Sequence, residues 1–341
     1  MGAIIGICLH AVGGLCAGSF YTPIKKIETW AWESSWLVMG FFAWLIVPWL
    51  MASITVTDLM HTLLSSPSSA IGWTFFFGFV WGAGGPIFNL TMRYLGVSLG
   101  MTVSLGSGAA FGTLIPPLVS GQFGELLHTT AGQITFGGVM VCLIGIALAG
   151  YAGHQRDLAR QQDDSSSEKF NTGKGILITF LSGPIGACFA YGLAAGKPIA
   201  DAAMAQGTPT LWQNNAVLTV LLLGGLSSNF ILCVYNNYKK KTAGDYLKND
   251  GQQRKNYLLA SLGGSIWYLQ FMFYGMGSSF LEERFHFASW TVHMSFIILF
   301  GNLWGLYFKE WKGVKSSTVQ TLIFGLLILA ASTILIAWGS S

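Results

Sequence analysis

Ten predominantly apolar runs follow one another along the chain, each near the ~20 residues a helix needs to cross ~30 Å of hydrocarbon. They are read as Ala3 to Tyr21, Ser35 to Ser53, Gly72 to Arg93, Val97 to Val119, Gly132 to Tyr151, Gly175 to Gly196, Ala216 to Tyr235, Leu258 to Phe280, Ala288 to Phe308 and Ser317 to Trp338. Lipid offers no partner to a peptide N–H or C=O, so runs of this length must close their backbone bonds internally as helices. Only 9% of the residues are charged, against about 25% in a soluble domain. The expectation is an all-α integral membrane protein with ten transmembrane helices and no separate soluble domain.

The loops carry the topology. Sixteen of the 18 Lys and Arg fall in the odd-numbered loops, and only Lys197 and Arg284 in the even ones. That bias puts the odd loops in the cytoplasm and both termini on the other side. The polar stretch HQRDLARQQDDSSSEKFNTGKG divides the chain into a first five-helix repeat (residues 1–153), a cytoplasmic linker (154–174) and a second repeat (175–341). Five is odd, so the second group enters the membrane upside down, the condition for two inverted five-helix repeats. The loop NNYKKKTAGDYLKNDGQQRKN reads as a solvated, partly lipid-facing basic linker. Gly108 and Gly112 form a GxxxG that reads as a helix-packing face. The fifth and tenth runs hold no polar residue of note and are expected to pack at the periphery or a dimer face.

Polar groups inside the apolar runs mark the functional chemistry. Gln270 stands among aromatics in GGSIWYLQFMFY, and Asn89 follows Trp81 by eight positions in VWGAGGPIFNLTMRY. Lipid cannot bond an amide's two donors and carbonyl, so such groups face protein, a cavity or a ligand. The candidate set is Tyr21, Trp81, Asn89, Gln213, Asn214, Trp267, Gln270, Tyr274 and His293. Amides bond vicinal hydroxyls while Trp and Tyr faces take the C–H side of a sugar ring, so these residues point to a neutral polyol. His10, Glu33 and His293 are the titratable side chains at membrane depth, which makes proton coupling the economical drive. Glu33 lies among Trp30, Trp32 and Trp36, where an interfacial tryptophan belt with a solvated carboxylate competes with a protonatable entrance group. The net charge of +4 belongs to the loops and gives no ground for a nucleic-acid partner. The five cysteines read as packing residues, and no metal site, cofactor or enzyme signature is expected.

The stretches SFYTPIKKIETWAWESSW, LTMRYLG, WYLQFMFYG, SWTVHMSF and LYFKEW closely resemble the L-rhamnose-proton symporter family of the drug/metabolite transporter superfamily. The resemblance runs over essentially all ten runs. It implies a ten-helix inverted-repeat fold in the bacterial inner membrane, importing a 6-deoxyhexose, L-rhamnose, with a proton. His10, Tyr21, Lys25, Lys26, Glu33, Arg93, Gln270 and His293 stand where the family pattern has the same residue. The segments GAGGPIFN and AYGLAAGKP depart from that pattern, which keeps open a proton symporter for another deoxysugar or hexose. From a different class, a membrane-embedded lipid or polyprenyl-sugar enzyme would have only Glu282, Glu283 and His286 to work with.

Overall fold

A computed structural model describes residues 2–85, 87, 91, 97–119, 121, 123–161, 172–248, 251–281 and 286–339, and among these every regular element is helical. In chain order the principal helices are α1 (Gly2–Ser19), α2 (Trp32–Phe41), α3 (Val47–Thr55), α4 (Leu59–Ser65), α5 (Ser68–Ala83), α6 (Val97–Val119), α7 (Thr130–Gln161), α8 (Thr172–Ala195), α9 (Lys197–Ala205), α10 (Gln213–Lys240), α11 (Gln253–Ser278), α12 (His286–Tyr307) and α13 (Ser316–Gly339). Among the described residues five stretches are long and apolar enough to cross a membrane: Ile4–Ile24, Trp32–Thr55, Thr130–Ala159, Thr210–Lys240 and Ser316–Gly339. The α4–α5 pair, bent by 104°, makes up to six. Its break falls at Ser66, which is extended (ψ 148°) because Pro67 follows it. Helices α6, α8, α11 and α12, of 22 to 26 residues, coincide with four more of the expected runs.

The chain forms two units. The first comprises Met1–Leu15, Gly84–Ala187 and Gly277–Ser341; the second comprises Cys16–Ala83 and Cys188–Met276. Both therefore draw on both halves of the sequence.

In the first unit α7 and α13, the fifth and tenth runs, lie directly against each other. A Cβ on Gly325 would meet the Ala149 backbone at 2.9 Å, and one on Gly138 would meet Ile336 at 2.7 Å. Val139, Ala288, Val292 and Ile336 form the local core. Gly112 does serve packing: the Trp290 indole lies 2.5 Å from where its Cβ would be, and Trp290 Nε1 donates to the Gly108 carbonyl (3.1 Å).

In the second unit α5 and α10 are interlocked. A Cβ at Gly78 would overlap the Leu221 carbonyl, and one at Gly224 would overlap the Phe75 carbonyl. Ala52, Leu59, Ala70, Ile199, Ala203 and Val217 knit α3, α4, α5, α9 and α10 together. Between α2 and α3 the helix opens into a π turn over Phe42–Ile46. Pro48 is the physical reason, because it lacks the N–H that would return to the Trp44 carbonyl and its ring crowds that carbonyl.

The basic loop after α10 is folded, not a free linker. Asn256 Nδ2 donates to the Glu28 carbonyl (2.6 Å), Gln253 Oε1 accepts from Trp30 Nε1 (3.2 Å), and Asp245 Oδ2 accepts from the Ala31 N–H (2.8 Å) and the Ser34 hydroxyl (2.9 Å). One of its lysines also has a partner: Lys248 bridges Asp245 at 2.6 Å. Burial pushes the Asp245 carboxyl up, but Lys248, the Ala31 amide and Ser34 more than offset this and hold its pKa below the ordinary value. A depressed folded pKa stabilises the fold above the unfolded carboxyl's pKa and loses that stabilisation as pH falls through the folded value. Asp245→Asn should therefore destabilise at pH 7 by on the order of 1 kcal/mol, with the gap closing toward acid pH; melting curves of both proteins between pH 7 and pH 3 check this.

Candidate functional site

Five aromatic rings of the second unit close a circuit. Trp36 of α2 meets Trp44 of the π turn (centroids 6.1 Å apart), Trp44 meets Trp81 of α5 (6.3 Å), Trp81 meets Phe271 of α11 (5.5 Å), Phe271 meets Trp267 (6.0 Å), and Trp267 returns to Trp36 (6.3 Å). Phe20 packs edge-on to Trp267 (4.0 Å), and Phe189 stacks on Phe271 (4.5 Å) and touches Tyr274 (6.1 Å). Local sequence explains the placement. Trp267, Gln270, Phe271 and Tyr274 recur at helical spacing and share one stripe of α11. Gly40, one turn before Trp44, leaves room for an indole that would crowd any Cβ there (2.7 Å).

This circuit carries donors without acceptors. The Nε2 of Gln270, the Nε1 of Trp267 and the Nε1 of Trp44 are buried with no hydrogen-bond partner among the described residues. Each such group costs about 1–3 kcal/mol relative to a bonded one. Indole and amide donors beside aromatic faces suit a molecule that offers hydroxyl oxygens on one aspect and C–H groups on the other.

The other expected binding residues divide. Asn214 Nδ2 is tied to the Gly275 carbonyl (3.0 Å) and neighbouring Asn215 to the Thr55 hydroxyl (2.8 Å), so these amides join helices within the unit. Asn229 likewise accepts from Trp36 Nε1 (3.2 Å) and donates to the Gly82 and Gly225 carbonyls. Gln213 opens α10 and is half-buried; Tyr21 is 40% exposed, with the Lys25 ammonium 5.8 Å over its ring. Asn89 and Arg93, like Glu282, Glu283 and Arg284, lie outside the described residues. Glu33 is buried (1% exposed), ion-paired with Lys240 at 3.0 Å and bonded by the Thr242 hydroxyl at 2.9 Å, with no solvated head.

His10 and His293 belong to the first unit, where both are fully buried and their rings lie 6.0 Å apart. Ser289 Oγ is 2.8 Å from His10 Nε2, and Ser278 Oγ is 2.6 Å from Ser289 Oγ. The opposite side of α12 is bonded elsewhere: Thr291 to Thr113, and Ser295 to Cys142 (2.9 Å).

Sequence reasoning missed Trp36, Trp44 and Phe271 in one unit and Ser278 and Ser289 in the other. Two local signals were present: Trp44 stands four residues from both Gly40 and Pro48, and His10 stands midway in the stripe Gly6, His10, Gly14.

Helices apolar enough for a bilayer, holding buried uncharged donors, aromatic faces and imidazoles, define an α-helical membrane protein. The chain belongs to the L-rhamnose-proton symport protein (RhaT) family, whose model matches residues 1–340. It is similar to the L-rhamnose-proton symporters of Klebsiella pneumoniae strain 342 (35% identity, 98% of this chain and 97% of the relative), Pectobacterium carotovorum subsp. carotovorum strain PC1 (36%, 97% of each) and Yersinia pestis strain Pestoides F (34%, 98% of each).

Proposed function

We propose that the protein imports L-rhamnose with a proton across the bacterial inner membrane by alternating access, with ten spans in two inverted five-helix repeats and both termini periplasmic. The observation that carries the substrate reading is the aromatic circuit with its unmatched Gln270, Trp267 and Trp44 donors. L-rhamnose is a 6-deoxyhexose: its methyl group and C–H face suit the rings, and its hydroxyl oxygens suit the donors. Sugar contact is assigned to Trp81, Trp267, Gln270 and Tyr274, joined by Trp36, Trp44 and Phe271 of the same unit, with Tyr21 and Gln213 as further candidates. Proton handling is assigned to His10, Glu33 and His293. At Glu33 a proton competes with the Lys240 ammonium paired with it.

The division of the chain supports the repeats. The backbone passes between units at Leu15/Cys16 and Ala83/Gly84, in the first and third expected spans, and again at Ala187/Cys188 and Met276/Gly277, in the sixth and eighth. Those are the corresponding spans of the two halves.

Counterflow and pH-gradient-driven uptake in proteoliposomes test the function. Labelled L-rhamnose should exchange, accumulate when the outside is acid, and leak back on addition of a protonophore. Accumulation insensitive to the protonophore would remove the proton, and turnover of a lipid-linked sugar without any sugar exchange would replace the carrier by an enzyme.

A further inference from the structure

We propose that Ser289 is the positioning residue for His10 and that, with Ser278, it forms a hydroxyl pair whose direction reverses with the imidazole's charge. This rests on the reading of His10 as a proton carrier. Both hydroxyls are almost wholly buried, Ser289 at 0% and Ser278 at 5% exposure, and the imidazole at 0%. Ser289 and His293 are one turn apart and so share a face of α12, while Thr291 and Ser295 occupy the opposite face, bonded to Thr113 and Cys142. That second set of bonds fixes the rotation of α12 and presents Ser289 to His10.

The side of α1 that meets this face is fixed too. Gly6, His10 and Gly14 recur every fourth residue. A Cβ on Gly6 would meet the Gly277 carbonyl at 2.9 Å, and one on Gly14 would overlap Phe296 of α12. Gly277 in turn leaves space for the imidazole: a Cβ there would lie 2.9 Å from His10 Nε2. The ring is thus walled by close backbone, with Ser289 on its Nε2 and His293 a titratable neighbour 6.0 Å away.

The consequence follows from counting donors. A hydroxyl has one proton to give. When His10 is neutral with its proton on Nδ1, Nε2 is an acceptor: Ser289 gives its proton to the ring and accepts from Ser278. When His10 is an imidazolium, Nε2–H is a donor: Ser289 accepts from the ring and turns its own proton toward Ser278. No bond to hydrogen is made or broken in the pair itself; two hydroxyls rotate as the imidazole gains one proton. Ser289 can therefore stabilise both charge states of His10, which an alkyl group or a fixed amide donor cannot do.

The test compares Ser289→Ala, Ser289→Thr and Ser278→Ala in proteoliposomes. Counterflow of labelled L-rhamnose needs no net proton movement; accumulation driven by an imposed pH gradient does. For Ser289→Ala we expect accumulation to fall at least tenfold while counterflow falls less than about threefold. Ser289→Thr, which keeps the hydroxyl, should recover at least half of the accumulation, and Ser278→Ala should give an intermediate loss. Equal losses of counterflow and accumulation, no loss of accumulation, or failure of Thr to rescue would each overturn the assignment. Absence of L-rhamnose counterflow in the unmodified protein would instead bring down the transport reading, and this inference with it.

Discussion

Gln270→Ala is expected to reduce L-rhamnose counterflow at least severalfold at sugar concentrations that half-saturate the unmodified protein. Removing one amide that a ligand hydroxyl has replaced water to reach costs about 1–3 kcal/mol, or roughly fivefold to 150-fold in affinity at 1.4 kcal/mol per tenfold. The stability of the ligand-free protein should not follow. Gln270 is 3% exposed, and its Nε2 has no acceptor among the described residues, so the truncation removes a buried unpaired donor and not a fold-stabilising bond. The diagnostic result is a melting temperature within a few degrees of the unmodified protein, together with the loss of the upward shift that L-rhamnose should otherwise produce. Unchanged counterflow would take Gln270 out of the site. A large drop in the ligand-free melting temperature would make it a packing residue.

Gly78→Leu should act on folding. The Cβ of any residue at 78 falls on the Leu221 carbonyl, and the reciprocal contact of Gly224 with Phe75 leaves α5 and α10 no direction in which to yield. Overpacking costs about 1–3 kcal/mol where side chains can shift, occasionally more, and here the obstacle is backbone. Even Gly78→Ala should lower stability by about that amount, and Gly78→Leu should leave little folded protein in a detergent-solubility or size-exclusion assay. Gly72 of α5, with nothing within 4 Å of its Cβ position, is the control: Gly72→Ala should behave like the unmodified protein. Wild-type behaviour of Gly78→Leu would mean that α5 and α10 do not meet as described. Trp81 lies one turn beyond Gly78, so the Ala variant should also weaken sugar binding by moving one wall of the aromatic circuit.

Helical class was legible because a run of about 20 apolar residues has one stable backbone in lipid. The stripe of Trp267, Gln270 and Tyr274 was legible for the same local reason, a spacing of three or four. Long-range pairing was not. Trp36 looked like part of an interfacial belt because its neighbours Trp30 and Trp32 stand at a loop; what turns it inward is Asn229, 193 positions away. Asn214 looked like a ligand amide because lipid cannot satisfy it, yet the Gly275 carbonyl on another helix does, and nothing near it in sequence announces that. The partners of Glu33 were not legible, because Lys240 and Thr242, which hold it, come 207 and 209 positions later and weigh against the solvated one of its two readings. The hydroxyl of Ser289 was overlooked because an isolated serine in an apolar helix ordinarily bonds its own backbone; only the approach of α1 gives it an imidazole.

The interleaving of the two units has a consequence for biogenesis. Severing the chain anywhere in the linker that separates the sequence halves would yield two fragments, each holding part of both units and the whole of neither. During synthesis the unit that includes Gly277–Ser341 must wait for the ribosome to release its last segment. Separately expressed halves should therefore be degraded when alone and survive when made together, each acting as the other's missing scaffold.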